Sequence, residues 1–89
     1  MSTIDFVVAE RKKELERVRV AVDGDAVAPA DVDDSPAAVV LTLTPADAAA
    51  VRSGDLNLSV AFMRGTMKMA GDSGVLFHVL PALTRDHPL

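Results

Sequence analysis

The residues that most resemble a catalytic motif are Gly71-Asp72-Ser73-Gly74, which spell the nucleophile sequence of the serine proteases. A nucleophilic serine requires a histidine base, a carboxylate that orients that base, and donors for the oxyanion, all held by a scaffold much larger than this chain. The same residues suit a turn in which Asp72 caps a following helix. The sequence therefore favours a structural role for this segment, and we predict that the chain is not an enzyme.

Metal-ligating residue types are present without the spacing of a metal site. His78 and His87 are isolated and the chain has no cysteine, so a zinc site is not predicted. Asp31, Asp33 and Asp34 lack the central glycine and the final glutamate of an EF-hand loop, which favours a solvated acidic loop. No metal or cofactor is therefore predicted. For His78 a structural role is favoured over contact with a ligand head group.

The composition excludes several classes of partner. A net charge of −4 disfavours phosphate binding, and the absence of Trp and Tyr leaves no aromatic platform for stacking bases. No nucleic-acid partner is therefore predicted. The one basic cluster, Arg11-Lys12-Lys13, lies among glutamates and is interpreted as a solvated segment.

The chain also lacks the patterns of secreted and membrane-spanning proteins. Its N-terminus does not have the order of a signal peptide, and its longest apolar run near the end, Val75–Leu83, is far shorter than the roughly 20 residues that span a bilayer. A secreted domain this small would usually need disulfides, and the chain has no cysteine. We therefore predict a single cytoplasmic domain over residues 1–89, with no integral membrane segment.

The elements that must position any site begin with strands in the N-terminal half. Ile4–Val8 alternates in a way that favours a strand, although Ser2–Asp5 has the form of a capping box and leaves a helix open. Arg17–Val22 alternates cleanly and precedes Asp23-Gly24, a strong hairpin turn. Two further strands are predicted at residues 25–28 and Ala38–Thr44.

The C-terminal half is predicted to be mainly helical. Three helices are predicted to begin after the capping residues Thr44, Asn57 and Asp72. The first is expected to end at Gly54, and Pro81 is expected to break or bend the third. With a strand at residues 66–70, this order predicts an α+β fold, a mostly antiparallel sheet of four to five strands with short helices packed on one face.

Three short motifs follow one another in this half: Ser53-Gly54-Asp55-Leu56, Ala61-Phe62-Met63-Arg64-Gly65 and Thr66-Met67-Lys68-Met69-Ala70-Gly71-Asp72. They are similar, in order and spacing, to the G-x-L, A-F-M-x-G and x-L/M-K-V/I/M-x-G-D motifs of the sterol carrier protein type-two family. Residues 42–83 therefore resemble the C-terminal half of that family. The resemblance implies a hydrophobic tunnel between the sheet and the helices that holds fatty acyl chains, sterols or related lipids.

The function predicted from this resemblance is non-enzymatic binding or carrying of an apolar, lipid-like ligand, such as a fatty acid, an acyl thioester or a sterol-like molecule. Methionine is flexible and polarizable and therefore suits a wall that adapts to apolar partners. Arg64 and Lys68 are interpreted as surface charges, with contact to an anionic head group as the alternative. The residues expected to line the ligand site face a common interior and are Leu56, Val60, Phe62, Met63, Met67, Met69, Leu76, Phe77 and Leu80.

A second function is predicted from a departure from the family. Family members usually begin with one or two additional helices, whereas this sequence begins almost directly with a strand. The faces that those helices would cover, Ile4, Phe6 and Val8 with Val18, Val20 and Val22, are then expected to be exposed. The alternative to ligand binding is therefore a protein-interaction module that has lost its cavity and forms a homodimer.

Overall fold

The computed structural model describes residues 2–89 and centres on β1 (Ser2–Glu10). Strand β2 (Lys13–Asp23) lies antiparallel on one side of β1, and β4 (Val39–Leu43) lies parallel on the other. Strand β3 (Ala26–Ala30) extends the sheet beyond β2, and β5 (Lys68–Gly71) extends it beyond β4, each antiparallel to its neighbour. The order is β3-β2-β1-β4-β5. The predicted α+β fold with a mostly antiparallel sheet is confirmed.

The N-terminal segment is a strand, so the helical alternative is wrong. Its alternate residues Ile4 and Phe6 are buried in the core, and this tertiary burial outweighs a local capping signal. Strand β2 begins at Lys13, four residues before the predicted start, and pairs along the whole length of β1. A two-residue turn, Arg11-Lys12, which the sequence did not predict, joins the two strands.

The three helices begin at the predicted caps. They are α1 (Pro45–Ser53), α2 (Leu58–Met63) and α3 (Ser73–Arg85). The side chains of Thr44, Asn57 and Asp72 accept hydrogen bonds from the first-turn amides of α1, α2 and α3, respectively. Pro81 was expected to break or bend the third helix, but the helix does not end there. Helix α3 continues to Arg85. A proline inside a helix removes one hydrogen bond, and the surrounding packing offsets that loss.

All three helices contribute to a core on one face of the sheet. The fully or nearly fully buried residues of this core are Ile4, Phe6, Val20, Val22, Val39, Leu41, Leu43, Val51, Leu58, Ala61, Met67, Leu76, Val79, Ala82 and Leu83. Alternation places Asp5, Val7, Arg17, Arg19 and Thr42 on the opposite face, called here the open face.

The strand residues that were expected to be exposed lie inside this core. Ile4, Phe6 and Val8 are buried, as are Val20 and Val22, whereas Val18 is half-buried. The expectation of an uncovered apolar sheet face is therefore wrong, because α1, α2 and α3 of the same chain cover it. A homodimer remains a prediction, but this face does not motivate it.

Gly71 ends β5 with a backbone shape that a side chain would prevent. Its φ is 106°, and a Cβ added there would collide with the carbonyl oxygen of Ala38. That carbonyl accepts the amide of Asp72 at 3.0 Å, so the close approach connects the end of β5 to the start of β4. The φ values of Gly54 and Gly65 are positive as well.

Candidate functional site

The two helices that carry most of the predicted ligand residues pack side by side. The hydroxyls of Ser59 and Thr84 lie 2.9 Å apart, and the rings of Phe62 and Phe77 meet edge to face with centroids 5.6 Å apart. Because Ser59 precedes Phe62 whereas Thr84 follows Phe77, α2 and α3 run antiparallel. We call this contact between α2 and α3, marked by Phe62 and Phe77, the helical seam.

Below the helical seam, the predicted site residues merge with the core. Met67 and Leu76 are buried, at 3% and 0% exposure, and they form the floor. Four other predicted residues, Leu56, Phe62, Met69 and Leu80, are half-buried and pack against the same core. The structure therefore brings six of the nine predicted residues together as one apolar wall.

The other three predicted residues lie on the outside of the two helices. Met63 is 83% exposed, Phe77 62% and Val60 43%. They do not face the interior as expected. The inward positions of α2 are occupied by Leu58 and Ala61, and those of α3 near Phe77 by Leu76 and Val79. Whether these outer residues contact a ligand stays a prediction.

Two of the grooves that lie away from the helical seam have mainly apolar linings. One, of ≈ 210 Å³, separates β2 and β3 from the C-terminal segment and is lined by Val18, Val20, Val27, Ala28, Pro29, Asp86, His87 and Pro88. The other, of ≈ 270 Å³, lies where β1 and β4 end and β5 begins, and we call it the hairpin groove. It is lined by Ala9, Lys12, Thr42, Leu43, Thr44, Thr66 and Lys68.

Sequence reasoning missed the hairpin groove, although it had named Lys68 as a possible head-group contact. The groove's lining comes from four separate segments of the chain, which only the sheet register brings together. One available signal was Arg11-Lys12-Lys13: the three residues are exposed, as expected of a solvated segment, yet Lys12 also lines the groove.

The strongest electrostatic cluster lies on the open face. Asp5 is fully buried and accepts hydrogen bonds from Arg19 Nε at 2.6 Å and from Arg17 Nη1 at 2.5 Å. Burial alone would raise the pKa of Asp5, but these hydrogen bonds and the two positive charges outweigh it and hold that pKa below its ordinary value. We call these three residues the buried charge cluster.

Arg19 also fixes the loop that follows β3. Its Nη1 donates to Asp33 at 3.0 Å, and its Nη2 donates to the carbonyl of Ser35 at 2.8 Å. The amide of Ser35 donates to Asp33, which lowers the pKa of Asp33, and Arg19 lowers it further. The acidic loop therefore supplies a counter-ion to Arg19.

The residues first considered for chemistry have other uses. The Asp72 carboxylate accepts the amides of Gly74 and Val75 as the cap of α3, which is the predicted structural role. His78 is exposed on α3. Within residues 2–89, no three His, Asp or Glu side chains are grouped so that they could hold a metal ion.

None of the helices formed by residues 2–89 has the length and hydrophobicity that crossing a membrane requires.

Comparison with known proteins identifies a protein family that matches this chain. A profile of the SCP-2 sterol transfer family matches residues 2–83. No curated protein sequence matches the chain.

The fold resembles that of several solved structures, among them the following three. Sterol carrier protein 2 from Yarrowia lipolytica, in its apo form, is 20% identical over 88% of this chain and 68% of its own, with a TM-score of 0.63. A conserved hypothetical protein from Thermus thermophilus is 19% identical over 94% of this chain and 66% of its own, with a TM-score of 0.69. Sterol carrier protein 2 from Aedes aegypti, in complex with the fatty acid palmitate, is 17% identical over 91% of this chain and 71% of its own, with a TM-score of 0.57.

Proposed function

The chain belongs to the SCP-2 sterol transfer family, and we propose that it binds a lipid-like molecule without reacting with it, holding an acyl chain in the helical seam. Family membership supports binding or transfer of a lipid as the general function. The Aedes aegypti relative, which is in complex with palmitate, supports a single acyl chain as the ligand class.

The observation that carries the proposal is the exposure of large apolar side chains beside the seam. Met63 and Phe77 are 83% and 62% exposed, and both adjoin Phe62, Met63 along the chain and Phe77 through its ring. A contiguous exposed apolar patch on a small domain usually marks an interaction site. An acyl chain lying along the seam would cover these side chains and contact the half-buried wall below them.

The energetics permit the seam to open for such a chain. Separating the Phe62–Phe77 ring pair costs about 0.5–1.5 kcal/mol. Burying one methylene contributes about 0.8 kcal/mol, so two methylenes offset the lost ring contact. Association itself costs roughly 4–15 kcal/mol. Burial of about 14 methylenes contributes roughly 11 kcal/mol, which is comparable with that cost, whereas burial of a short chain contributes much less. We therefore expect long acyl chains to bind better than short ones in the seam.

The second part of the proposal is that the ligand is bound without undergoing a reaction. Two of the carboxylates that could serve as a base are already engaged, Asp5 by two arginines and Asp72 by the start of α3. A general base has to be within hydrogen-bond reach of the proton it removes. These engagements support a ligand that is held and released unchanged.

Displacement of a fluorescent fatty acid by palmitate tests the seam. Phe77→Ala should weaken palmitate binding about tenfold, which corresponds to about 1.4 kcal/mol. Val32→Ala is the matched control, because Val32 is also a large exposed apolar residue, at 47%, but lies in the loop after β3. Equal affinities for the two variants, or no binding at high micromolar palmitate, would reject the seam.

The alternative function is a homodimer in which a second copy covers the same outer residues. The exposure of Val60, Met63 and Phe77 favours this alternative as well. Light scattering without lipid distinguishes the two, because a monomer has a mass of 9.4 kDa. A doubled mass that is lost on Met63→Asp would support the dimer over the open seam.

A further inference from the structure

The turn between β1 and β2 has an unusual composition for its geometry. Glu10 pairs with Lys13, so the loop has only two residues, Arg11 and Lys12, with φ of 53° and 69°. A two-residue hairpin with positive φ at both central positions is normally built from Asn-Gly. Side chains with a Cβ are disfavoured in this left-handed region. The chain therefore keeps two long cationic side chains where smaller residues would form a more stable turn.

The register of the sheet places this turn beside the hairpin groove. Val8, near the end of β1, pairs with Leu43 at the end of β4, and Thr42 pairs with Lys68 at the start of β5. These three strand ends therefore meet at the same edge of the sheet as the turn. Lys12, from the turn, and Lys68, from β5, both line the groove.

The groove combines apolar walls with free positive charge. Its lining consists of Ala9, Leu43 and three threonines, together with Lys12 and Lys68, and its exposed surface is almost entirely apolar. Four arginines of the chain form ion pairs, but within residues 2–89 neither Lys12 nor Lys68 does. An apolar cleft with a few convergent polar groups is the usual form of a small-molecule site.

We propose that the hairpin groove binds a single-chain amphiphile with a monoanionic head, a medium-chain fatty-acid anion being its simplest form. The head would lie between Lys12 and Lys68, and the first methylenes would follow the apolar lining of the groove. A volume of ≈ 270 Å³ is at the small end of ligand pockets, which suits a small head and a short chain. Because an ammonium is a point charge without forked geometry, carboxylate and sulfate heads should both bind.

The strained turn has a function under this proposal. Backbone strain persists at functional sites where the surrounding structure enforces it. Here the strained geometry holds Lys12 at the groove before the ligand arrives, which limits the ordering that binding requires. The groove lies where β1 and β4 end, and none of its lining residues belongs to the helical seam, so this inference does not rest on the proposed function.

Two substitutions in the turn separate strain from binding. Lys12→Gly should raise the melting temperature and weaken decanoate binding about threefold to fivefold, as expected for loss of one exposed ion pair. Arg11→Asn is the matched control: it also relaxes the turn, but Arg11 does not line the hairpin groove, so decanoate affinity should not change. Equal affinity for the two variants would overturn the proposal.

The chemistry of the ligand is tested on the native chain by NMR. Decanoate and decyl sulfate should shift the amides of Ala9, Leu43 and Lys68, whereas decanol should bind about tenfold more weakly because it lacks the charge. If inorganic phosphate binds as tightly as decanoate, the proposal of an amphiphilic ligand is rejected. Shifts confined to α2 and α3 would overturn the groove while supporting the helical seam. Shifts confined to the groove would support the groove and would not contradict the seam, which is expected to bind long chains.

Discussion

The sheet carries two charged regions of opposite character. In the buried charge cluster, Asp5 is fully buried and bonded to both Arg17 and Arg19. In the hairpin groove, Lys12 and Lys68 have no ion pair within residues 2–89, and one of them belongs to a strained turn. The difference indicates that the first region stabilises the fold, whereas the second keeps its charge available at some cost in stability.

The two hairpin turns of the sheet support this distinction. The β2–β3 turn also has two residues between its last paired positions, and Gly24 takes the positive φ of 61° there. Glycine adopts that conformation without strain. One hairpin of the sheet therefore has glycine at its positive-φ position, whereas the other has Arg11 and Lys12 there. Lys12 lines the hairpin groove.

The largest expected effect is the loss of Arg19. Arg19→Met should lower the free energy of unfolding by about 3–5 kcal/mol, because it leaves a buried carboxylate with incomplete pairing and also frees the loop at Asp33. Arg17→Met is the control and should cost about 1 kcal/mol, since Arg17 is 32% exposed. Urea denaturation measures both, and equal losses would contradict the assignment of Arg19 as the central residue of the cluster.

Acid should weaken the buried charge cluster next. Because the pKa of Asp5 is lowered by folding, its contribution to stability is complete above the ordinary value of 3.8 and is lost as the pH falls through the folded pKa. Each unit of that lowering corresponds to about 1.4 kcal/mol. Urea unfolding followed from about pH 5 to pH 2 should therefore show a steep loss that Asp5→Asn flattens. An unchanged slope in that variant would exclude Asp5 as the source.

A smaller effect of opposite sign is expected in the strained turn. Lys12→Gly should stabilise the chain by about 1 kcal/mol, because glycine relieves the left-handed strain at that position. The reciprocal change, Gly24→Lys, should destabilise by a similar amount, since space for its Cβ is open and only the φ is unfavourable. Thermal unfolding measures both variants. Stabilisation by Gly24→Lys would remove the contrast between the turns.

The smallest effect is expected at Lys68. Lys68→Gln should change the free energy of unfolding by less than about 0.5 kcal/mol, because the side chain is exposed and forms no ion pair within the described residues. Urea denaturation beside Arg17→Met gives the comparison. A loss as large as that of Arg17→Met would place Lys68 among the stabilising charges.

The parts of the fold that follow from neighbours in sequence were predictable. Thr44, Asn57 and Asp72 cap the helices as predicted because a cap needs only its own side chain and the next three amides. The turn at Asp23-Gly24 followed from the same local logic. The candidate site was predictable in part: six of its nine residues form the wall below the helical seam, but the outward direction of Met63 and Phe77 depends on how α2 and α3 pack.

The sequence by itself therefore determined the helix starts, the alternation of the strands and, through its motifs, the family. Tertiary structure alone decided that β1 pairs in parallel with β4, that Asp5 meets Arg19 across two strands, and that Lys12 shares a groove with Lys68. The physical reason is the separation in sequence between the residues that interact. Caps and turns are fixed by hydrogen bonds among adjacent residues, whereas a charge cluster or a groove exists only after distant segments have been brought together by burial of the core.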